Sequence, residues 1–274
     1  SNTYFASVLP WINKKTELVL LGSKKYSLTP SLDHVKEASK LGVDAIILTH
    51  IGGYPIPEIK KITEFCNENR ILLFEDCAHS PLTKIDNLYV GSFGDASIFS
   101  FFPTKPIPAG EGGMVLFKNK DLAKKVCLIR DYGKVNINDK IFHKLPAVSN
   151  GRLNEFSASI VSTFLENYKR IYFIRKEIAS IYDDKIPNKF IYQKNINDRQ
   201  KLSYYKYITF INKNKFSVSN VYDQENQLFS ILKDNEIDFK FIGENPLGVN
   251  HVCLPIFPSM QKSDVEKVID ACHY

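Results

Sequence analysis

Ile71-Leu72-Leu73-Phe74-Glu75-Asp76-Cys77-Ala78-His79 is an apolar run that closes on two carboxylates, two small residues and an imidazole. A run this short and apolar on both faces reads as a buried strand. Similar runs recur at Glu17–Leu21, Asp44–His50, Ala96–Phe101 and Gly113–Phe117, with amphipathic segments between them. Asp33–Lys40 and Asp121–Arg130 read as helices. So does Pro57–Asn69, where Pro57 suits a first helical turn and Ile59, Ile62, Phe65 and Cys66 form one apolar stripe. This alternation predicts an α/β fold with a mainly parallel sheet covered by helices. Ligands of such sheets bind beyond the carboxyl ends of the strands. The positions of interest are therefore His50, Asp76 with His79, and Ser100 through Lys105.

From Asn154 to about Asp184, Phe156, Ile160, Phe164, Tyr168 and Ile171 recur at helical spacing, which predicts one long helix leaving a large domain. The expected organisation is a large domain over 1–153, a connecting helix over 154–187 and a smaller α/β domain over 188–274. In the last, a strand is expected at Tyr204–Phe210, a helix at Gln224–Leu232 and short strands near Phe239 and Val252. A final helix is expected to open on Ser263, with Glu266 completing a capping box.

Composition narrows the function classes. The 274 residues are 44% hydrophobic and 24% charged, as in an ordinary soluble globular protein. The net charge of +6 is scattered among acids with no basic run of five or more, which argues against nucleic acid. Cys66, Cys77, Cys127, Cys253 and Cys272 form no Cys-x-x-Cys pair, and their odd number argues against a disulfide framework. With no bilayer-length apolar stretch and no signal-peptide pattern, no membrane association is expected and the cytoplasm is the expected compartment.

Chemistry concentrates in Gly91-Ser92-Phe93-Gly94-Asp95-Ala96-Ser97-Ile98-Phe99-Ser100-Phe101-Phe102-Pro103-Thr104-Lys105, which precedes Gly110, Gly112 and Gly113. A strand ends at a hydroxyl, the chain turns at Pro103 and a lysine follows. At the mouth of a sheet, a partly desolvated Lys105 would have a lowered pKa and a neutral amine available to a carbonyl carbon. An ordinary surface lysine in a loop is the alternative. Pyridoxal 5'-phosphate (PLP) needs an anionic partner for its pyridinium nitrogen and a donor for its phenolic oxygen, and Asp76 and His79 could supply both. Asp76 could instead be a metal ligand or a helix cap, and His79 a structural hydrogen-bonding histidine.

These segments, in this order and separation, resemble the DegT/DnrJ family of sugar aminotransferases, a branch of the fold-type I PLP enzymes. The resemblance runs from Thr3-Tyr4 through His50-Ile51-Gly52-Gly53-Tyr54-Pro55, Glu75–Ser80 and Ser100–Gly113. It continues through Ser149-Asn150-Gly151-Arg152-Leu153-Asn154-Glu155 to Val252-Cys253-Leu254-Pro255-Ile256-Phe257-Pro258. It implies a fold-type I aminotransferase-like architecture with PLP as cofactor. Lys105 would be the Schiff-base lysine and Asp76 the pyridinium partner, with His79 at the phenolic oxygen. Ser100 would bind the cofactor phosphate, Tyr4 would stack on the ring and Ala78 would cover its other face. Asn150 would reach the phosphate of a neighbouring subunit, so a homodimer with shared sites is implied, with Arg152 either a companion or paired with Glu155. His50, in the family's His-x-x-Gly pattern, is expected to tie down a turn.

The implied reaction moves an amino group, with glutamate as donor, to a nucleotide-linked keto sugar in polysaccharide or glycoside biosynthesis. Lysine at position 105 argues against the family's dehydrase branch. Two departures bear on this. The family opens with a Ser-Gly-Thr turn at a helix N-terminus that holds the phosphate. That turn is not found in these residues; were it absent from the protein, phosphate binding would rest on Ser100 and Asn150, and apolar surface would be exposed. The substrate-touching stretch is also shortened, to Phe241-Ile242-Gly243-Glu244-Asn245-Pro246-Leu247-Gly248. The alternative is a truncated, non-catalytic homologue with a binding, assembly or regulatory role.

Overall fold

Strand pairing sets the carboxyl ends of the apolar runs side by side. The structure is a computed structural model that describes residues 3–23, 27–143, 149–187, 199–209, 228–243 and 251–273. Strand β1 spans Leu18–Leu21, helix α1 Leu32–Ser39, β2 Ala45–Thr49, α2 Ile59–Glu68, β3 Leu72–Asp76, β4 Ala96–Ser100, β5 Gly113–Phe117 and α3 Lys120–Ile129. β2, β3 and β4 run parallel and β5 closes the sheet antiparallel, in the order β2-β3-β4-β5. The register pairs Thr49 with Asp76, Asp76 with Ile98, and Ser100 with Gly113. The fold is thus α/β with a mostly parallel sheet.

One sheet face is sealed. Ile46, Leu48 and Leu73 pack with Val35 of α1 and with Ile59, Ile62 and Cys66 of α2, all of them buried. Phe65, the fourth member of the expected stripe, is only partly buried against this core. Burying a side chain of this size contributes roughly 1.5–3 kcal/mol. Pro57 stands outside α2, because Glu58 is its N-cap residue and Ile59 its first. The Glu58 carboxylate instead accepts the Leu32 N–H at 3.0 Å, joining the starts of α1 and α2.

β1 does not join this sheet. It pairs in parallel with β7, Phe239–Ile242, in a register from Leu18–Phe239 to Leu21–Ile242. A cavity of about 480 Å³ is lined by both β1 and β2, with Thr3, Ser7 and Thr49 also in its wall. Two apolar strands that are neighbours in sequence are thus placed in different sheets.

The expected long helix is two. Helix α4 covers Glu155–Glu166 and α5 covers Tyr168–Lys185. Between them Asn167 leaves helical geometry (φ −93°, ψ 2°), and its side-chain amide donates to the Thr163 carbonyl at 2.9 Å. A side chain that satisfies carbonyls locally competes with the helical ladder. The buried face is also displaced from the expected stripe. Ser157, Val161, Tyr168, Tyr172, Ile178, Ala179 and Tyr182 point inward, while Phe156 is 85% exposed and Ile160 is exposed. Strand β6 spans Tyr207–Thr209, α6 Leu228–Asp234, β8 Val252–Leu254 and α7 Lys262–His273. β6 and β8 pair antiparallel, and a separate core joins α5, β8 and α7 through Ile178, Tyr182, Val252 and Val265.

Helix α7 starts differently from the expected Ser263–Glu266 box. The Asp264 carboxylate accepts the Gln261 N–H at 3.0 Å, which places the cap two residues earlier. Phe210, residues 224–227 of the expected helix and residues 244–248 of the shortened stretch lie outside the described residues. Among the described residues, no helix is long and apolar enough to cross a membrane.

Candidate active site

Asp76 ends β3 with 5% of its surface exposed. One carboxylate oxygen accepts the Ala78 N–H at 3.0 Å and the other the Ser7 hydroxyl at 2.8 Å. Behind Ser7, the Thr3 hydroxyl lies 3.0 Å away and receives the Thr49 hydroxyl at 2.7 Å. A chain of hydroxyls therefore runs from β2 to Asp76. Each carboxylate oxygen retains a lone-pair direction for a further donor.

His79 is buried, and its Nδ1 accepts the Gly52 N–H at 3.2 Å. The ring proton therefore sits on Nε2, which makes that nitrogen a donor. Burial, reinforced by the nearby ammonium groups of Lys105 and Lys206, holds the imidazole well below its ordinary pKa and keeps it neutral.

Lys105 is half-buried in a turn closed by its own N–H donating to the Phe102 carbonyl at 2.9 Å. Phe101 and Ile107 flank that turn and pack into a core with Val161, Tyr168 and Tyr172, so α4 and α5 hold the lysine loop in place. The Ser157 hydroxyl donates to the Ala109 carbonyl at 2.9 Å from the same side. Burial lowers the Lys105 pKa, the Asp76 carboxylate opposes this, and Lys206 lowers it further. An amine so placed is more often neutral, and thus more nucleophilic, than a surface lysine.

The other expected positions divide. Ser100 ends β4 at the same sheet edge, and its hydroxyl oxygen accepts the Phe102 N–H at 3.3 Å. Ala78 is half-buried beside Asp76. Tyr4 is 60% exposed, and its carbonyl accepts the N–H of Ser7, which reaches Asp76. Asn150 is exposed, its backbone bridged to Asp131. Arg152 pairs with Asp131, not Glu155, and lies 5.3 Å from the Tyr132 ring centroid.

His50 ties down a turn, as expected of it. It is fully buried, with Nδ1 accepting the Ile56 N–H at 3.1 Å and Nε2 lying 2.9 Å from Glu75. Glu75 also accepts N–H groups from Gly91, Phe93 and Gly94 at 2.6–2.8 Å. Burial alone would raise the Glu75 pKa, but the His50 and backbone hydrogen bonds outweigh it and the pKa is lowered. Among the described residues, His50, Glu75 and Cys77 form the one grouping with metal-ligand spacing. Both His50 nitrogens and both Glu75 oxygens are already hydrogen-bonded there, and burial pushes the Cys77 thiol well up.

Sequence reasoning missed four residues. Glu75 was visible as the second carboxylate of its run. Ser7, Tyr205 and Lys206 carried no local signal, because they are distant in sequence. The Tyr205 ring centroid lies 4.6 Å from that of His79, and its hydroxyl is 3.3 Å from the Thr104 hydroxyl. Lys105 Nζ and Lys206 Nζ lie 5.6 and 4.9 Å from the same ring centroid. The assembled site offers a carboxylate, a neutral imidazole donor, a desolvated amine and a second ammonium.

Comparison with known proteins identifies the family and the fold. The DegT/DnrJ/EryC1/StrS aminotransferase family model matches residues 1–248. GDP-perosamine synthase of Vibrio cholerae is 33% identical over 184 residues, which are 67% of this chain and 49% of that protein. A dTDP-3-amino-3,6-dideoxy-alpha-D-galactopyranose transaminase of Aneurinibacillus thermoaerophilus is 26% identical over 99% of this chain and 76% of its own length. The chain thus spans about half the length of the GDP-perosamine synthases it matches. The aminotransferase TlmJ of Streptoalloteichus hindustanus superposes with a TM-score of 0.87 at 22% identity, covering 98% of this chain and 76% of that one. Helicobacter pylori PseC superposes with a TM-score of 0.84 at 19% identity, covering 99% and 76%. At these identities the two structures speak for the fold, which is that of the fold-type I aminotransferases. The chain belongs to the DegT/DnrJ/EryC1/StrS aminotransferase family.

Proposed function

We propose that this protein is a PLP-dependent aminotransferase that moves an amino group from an amino acid, glutamate by preference, to the keto carbon of a nucleotide-linked sugar. One observation carries the reading: Asp76, neutral His79 and desolvated Lys105 meet at the carboxyl edge of adjacent parallel strands. The donor set fits PLP. Asp76 would hold the pyridinium nitrogen, His79 Nε2 would donate to the phenolic oxygen, and the Ser100 hydroxyl and Phe102 turn would lie towards the phosphate. Tyr4 and Ala78 would border the two faces of the ring. When bound, PLP supplies an aldehyde carbon and an electron-withdrawing ring.

The chain's own residues then have separate tasks. Lys105 would hold the cofactor covalently through Nζ and, as the free amine, would carry a proton to and from the substrate carbon that bears nitrogen. Asp76 would hold the ring-nitrogen proton in place, and Ser7 fixes the carboxylate rotamer. His79, kept neutral, donates without adding positive charge. Phe101, Ile107 and Ala109, packed on either side of the lysine turn, limit water on the core side of the amine. The proposal includes a homodimer in which Asn150 faces the neighbouring site, and the exposure of that side chain supports it. It also includes the division into a large domain, a connecting region and a smaller domain, which the separate core around α5, β8 and α7 supports.

The test is spectroscopic. Adding PLP to the full encoded protein should give visible absorbance from a lysine-bound cofactor, and glutamate should bleach it. Lys105→Ala should remove the band. No visible band in the unaltered protein overturns the assignment.

A further inference from the structure

We propose that Lys206 is a specificity-determining residue that receives the carboxylate of the amino donor. This inference rests on the function proposed above and names how its first substrate is held. Lys206 opens the stretch leading into β6, far in sequence from the strand edges that carry Asp76 and Lys105. The fold brings it back to them. Its N–H donates to the Gly52 carbonyl at 3.0 Å and its carbonyl accepts the Tyr54 hydroxyl at 3.3 Å. Nearby, the Ser203 hydroxyl donates to the His79 carbonyl at 2.9 Å. The lysine backbone is therefore fastened to the loop after β2, and nearby Ser203 to the segment after β3.

Its side chain is held over the Tyr205 ring with Nζ 4.9 Å from the centroid, and Lys105 Nζ approaches the same ring at 5.6 Å. Tyr205 is buried, and its contacts with His79 and Thr104 fix the ring. The Lys206 ammonium and the Lys105 amine thus lie against one aromatic ring, which supports the ammonium by cation–π attraction. Among the described residues, no carboxylate lies within ion-pair distance of either one. Among the described residues, Lys206 thus adds a positive charge beside the Lys105 amine and the neutral His79 imidazole, and an anionic substrate group would complement it.

Connectivity selects which anion. In an α-amino acid the carboxylate is bonded to the same carbon that bears the reacting nitrogen. Its oxygens therefore stay within a side chain's reach of the amine at Lys105. The diphosphate of a nucleotide sugar is attached across the ring from the keto carbon and lies further off. A lysine beside Lys105 is accordingly placed for the donor's carboxylate.

The experiment compares the unaltered protein with Lys206→Met and Lys206→Arg. The probe is glutarate, a dicarboxylate without an amine, titrated calorimetrically with and without PLP. Loss of one charge-assisted contact should weaken glutarate binding in Lys206→Met by about tenfold or more. Lys206→Arg should recover most of it. In the PLP-loaded protein, Lys206→Met should raise KM for glutamate by a similar factor and leave KM for the keto sugar unchanged. Unaltered glutarate affinity in Lys206→Met overturns the proposal, as does a rise confined to the sugar's KM, which would assign the lysine to the diphosphate. A missing visible band in the unaltered protein would instead overturn the proposed function, so the two failures are distinguishable.

Discussion

Nε2 of His50 lies 2.9 Å from Oε2 of Glu75, with both side chains fully buried. The imidazole is anchored from behind by the Ile56 N–H, so its remaining proton points at the carboxylate. Glu75 in turn gathers the N–H groups of Gly91, Phe93 and Gly94, which fixes the turn leading into β4. The residue beside it is Asp76. A buried, fully bonded carboxylate thus positions the one that faces the site.

Removing that anchor should be expensive. Glu75→Gln keeps the shape but loses the charge that strengthens four hydrogen bonds, and should lower unfolding stability by about 3 kcal/mol. The Glu75 pKa is lowered in the fold, so its stabilisation is present above the unfolded carboxylate value, about pH 4.3, and is lost as pH falls through the folded value. Urea midpoints measured between about pH 3 and pH 7 should therefore drop less steeply at the acid end for Glu75→Gln than for the unaltered protein.

Lys105 should titrate below an ordinary lysine. Burial lowers its pKa, Asp76 raises it and Lys206 lowers it. Competitive acetylation followed by mass spectrometry should show Lys105 reacting at lower pH than an ordinary lysine. Asp76→Asn should move the Lys105 profile to still lower pH, and Lys206→Met should move it upward. An unchanged profile in both variants would sink the electrostatic account.

Ser7→Ala should act through Asp76. It removes the hydroxyl that donates at 2.8 Å and breaks the chain to Thr3 and Thr49. The expected loss is about 1 kcal/mol of stability, together with weaker retention of PLP during dialysis. Wild-type retention in Ser7→Ala would show that Asp76 needs no such support.

Two glycines separate crowding from backbone preference. A Cβ on Gly94 would sit 2.5 Å from the Leu73 carbonyl oxygen, and the Gly94 N–H serves Glu75. Gly94→Ala should destabilise by about 2–3 kcal/mol, because backbone cannot yield as a side chain can. Gly42 has a φ of +74° with open space around it. Gly42→Ala should show only the left-handed penalty, about 1 kcal/mol. Chemical denaturation of both variants checks the difference.

The local parts of this structure were legible in the sequence. β2 through β5 follow their apolar runs to within two residues. For β2 and β3 this is because short doubly apolar segments have few other ways to be buried, whereas β5, read as a similar run, lies exposed at the sheet edge. Asp76, His79 and Lys105 were readable because strand ends collect ligands and because the family resemblance covers them. What could not be read was tertiary. β1 pairs with β7, more than two hundred residues away, and nothing in Leu18–Leu21 distinguishes that choice from joining β2. Asn167 breaks a helix whose apolar spacing continues through it. Ser7, Tyr205 and Lys206 matter only because distant segments converge on Asp76 and Lys105.

The outward-facing apolar residues of β5 and α4 have a thermodynamic consequence. Met114, Val115 and Leu116 are each more than two-fifths exposed, and Phe156 is almost bare. Their hydration is already present in the folded chain, so unfolding adds less new apolar hydration than a sealed domain of this length would. The heat capacity increment of the single chain should therefore be smaller than that of an assembly in which a second copy covers these side chains, and its stability should vary less steeply with temperature. Scanning calorimetry in dilute solution reads that increment directly.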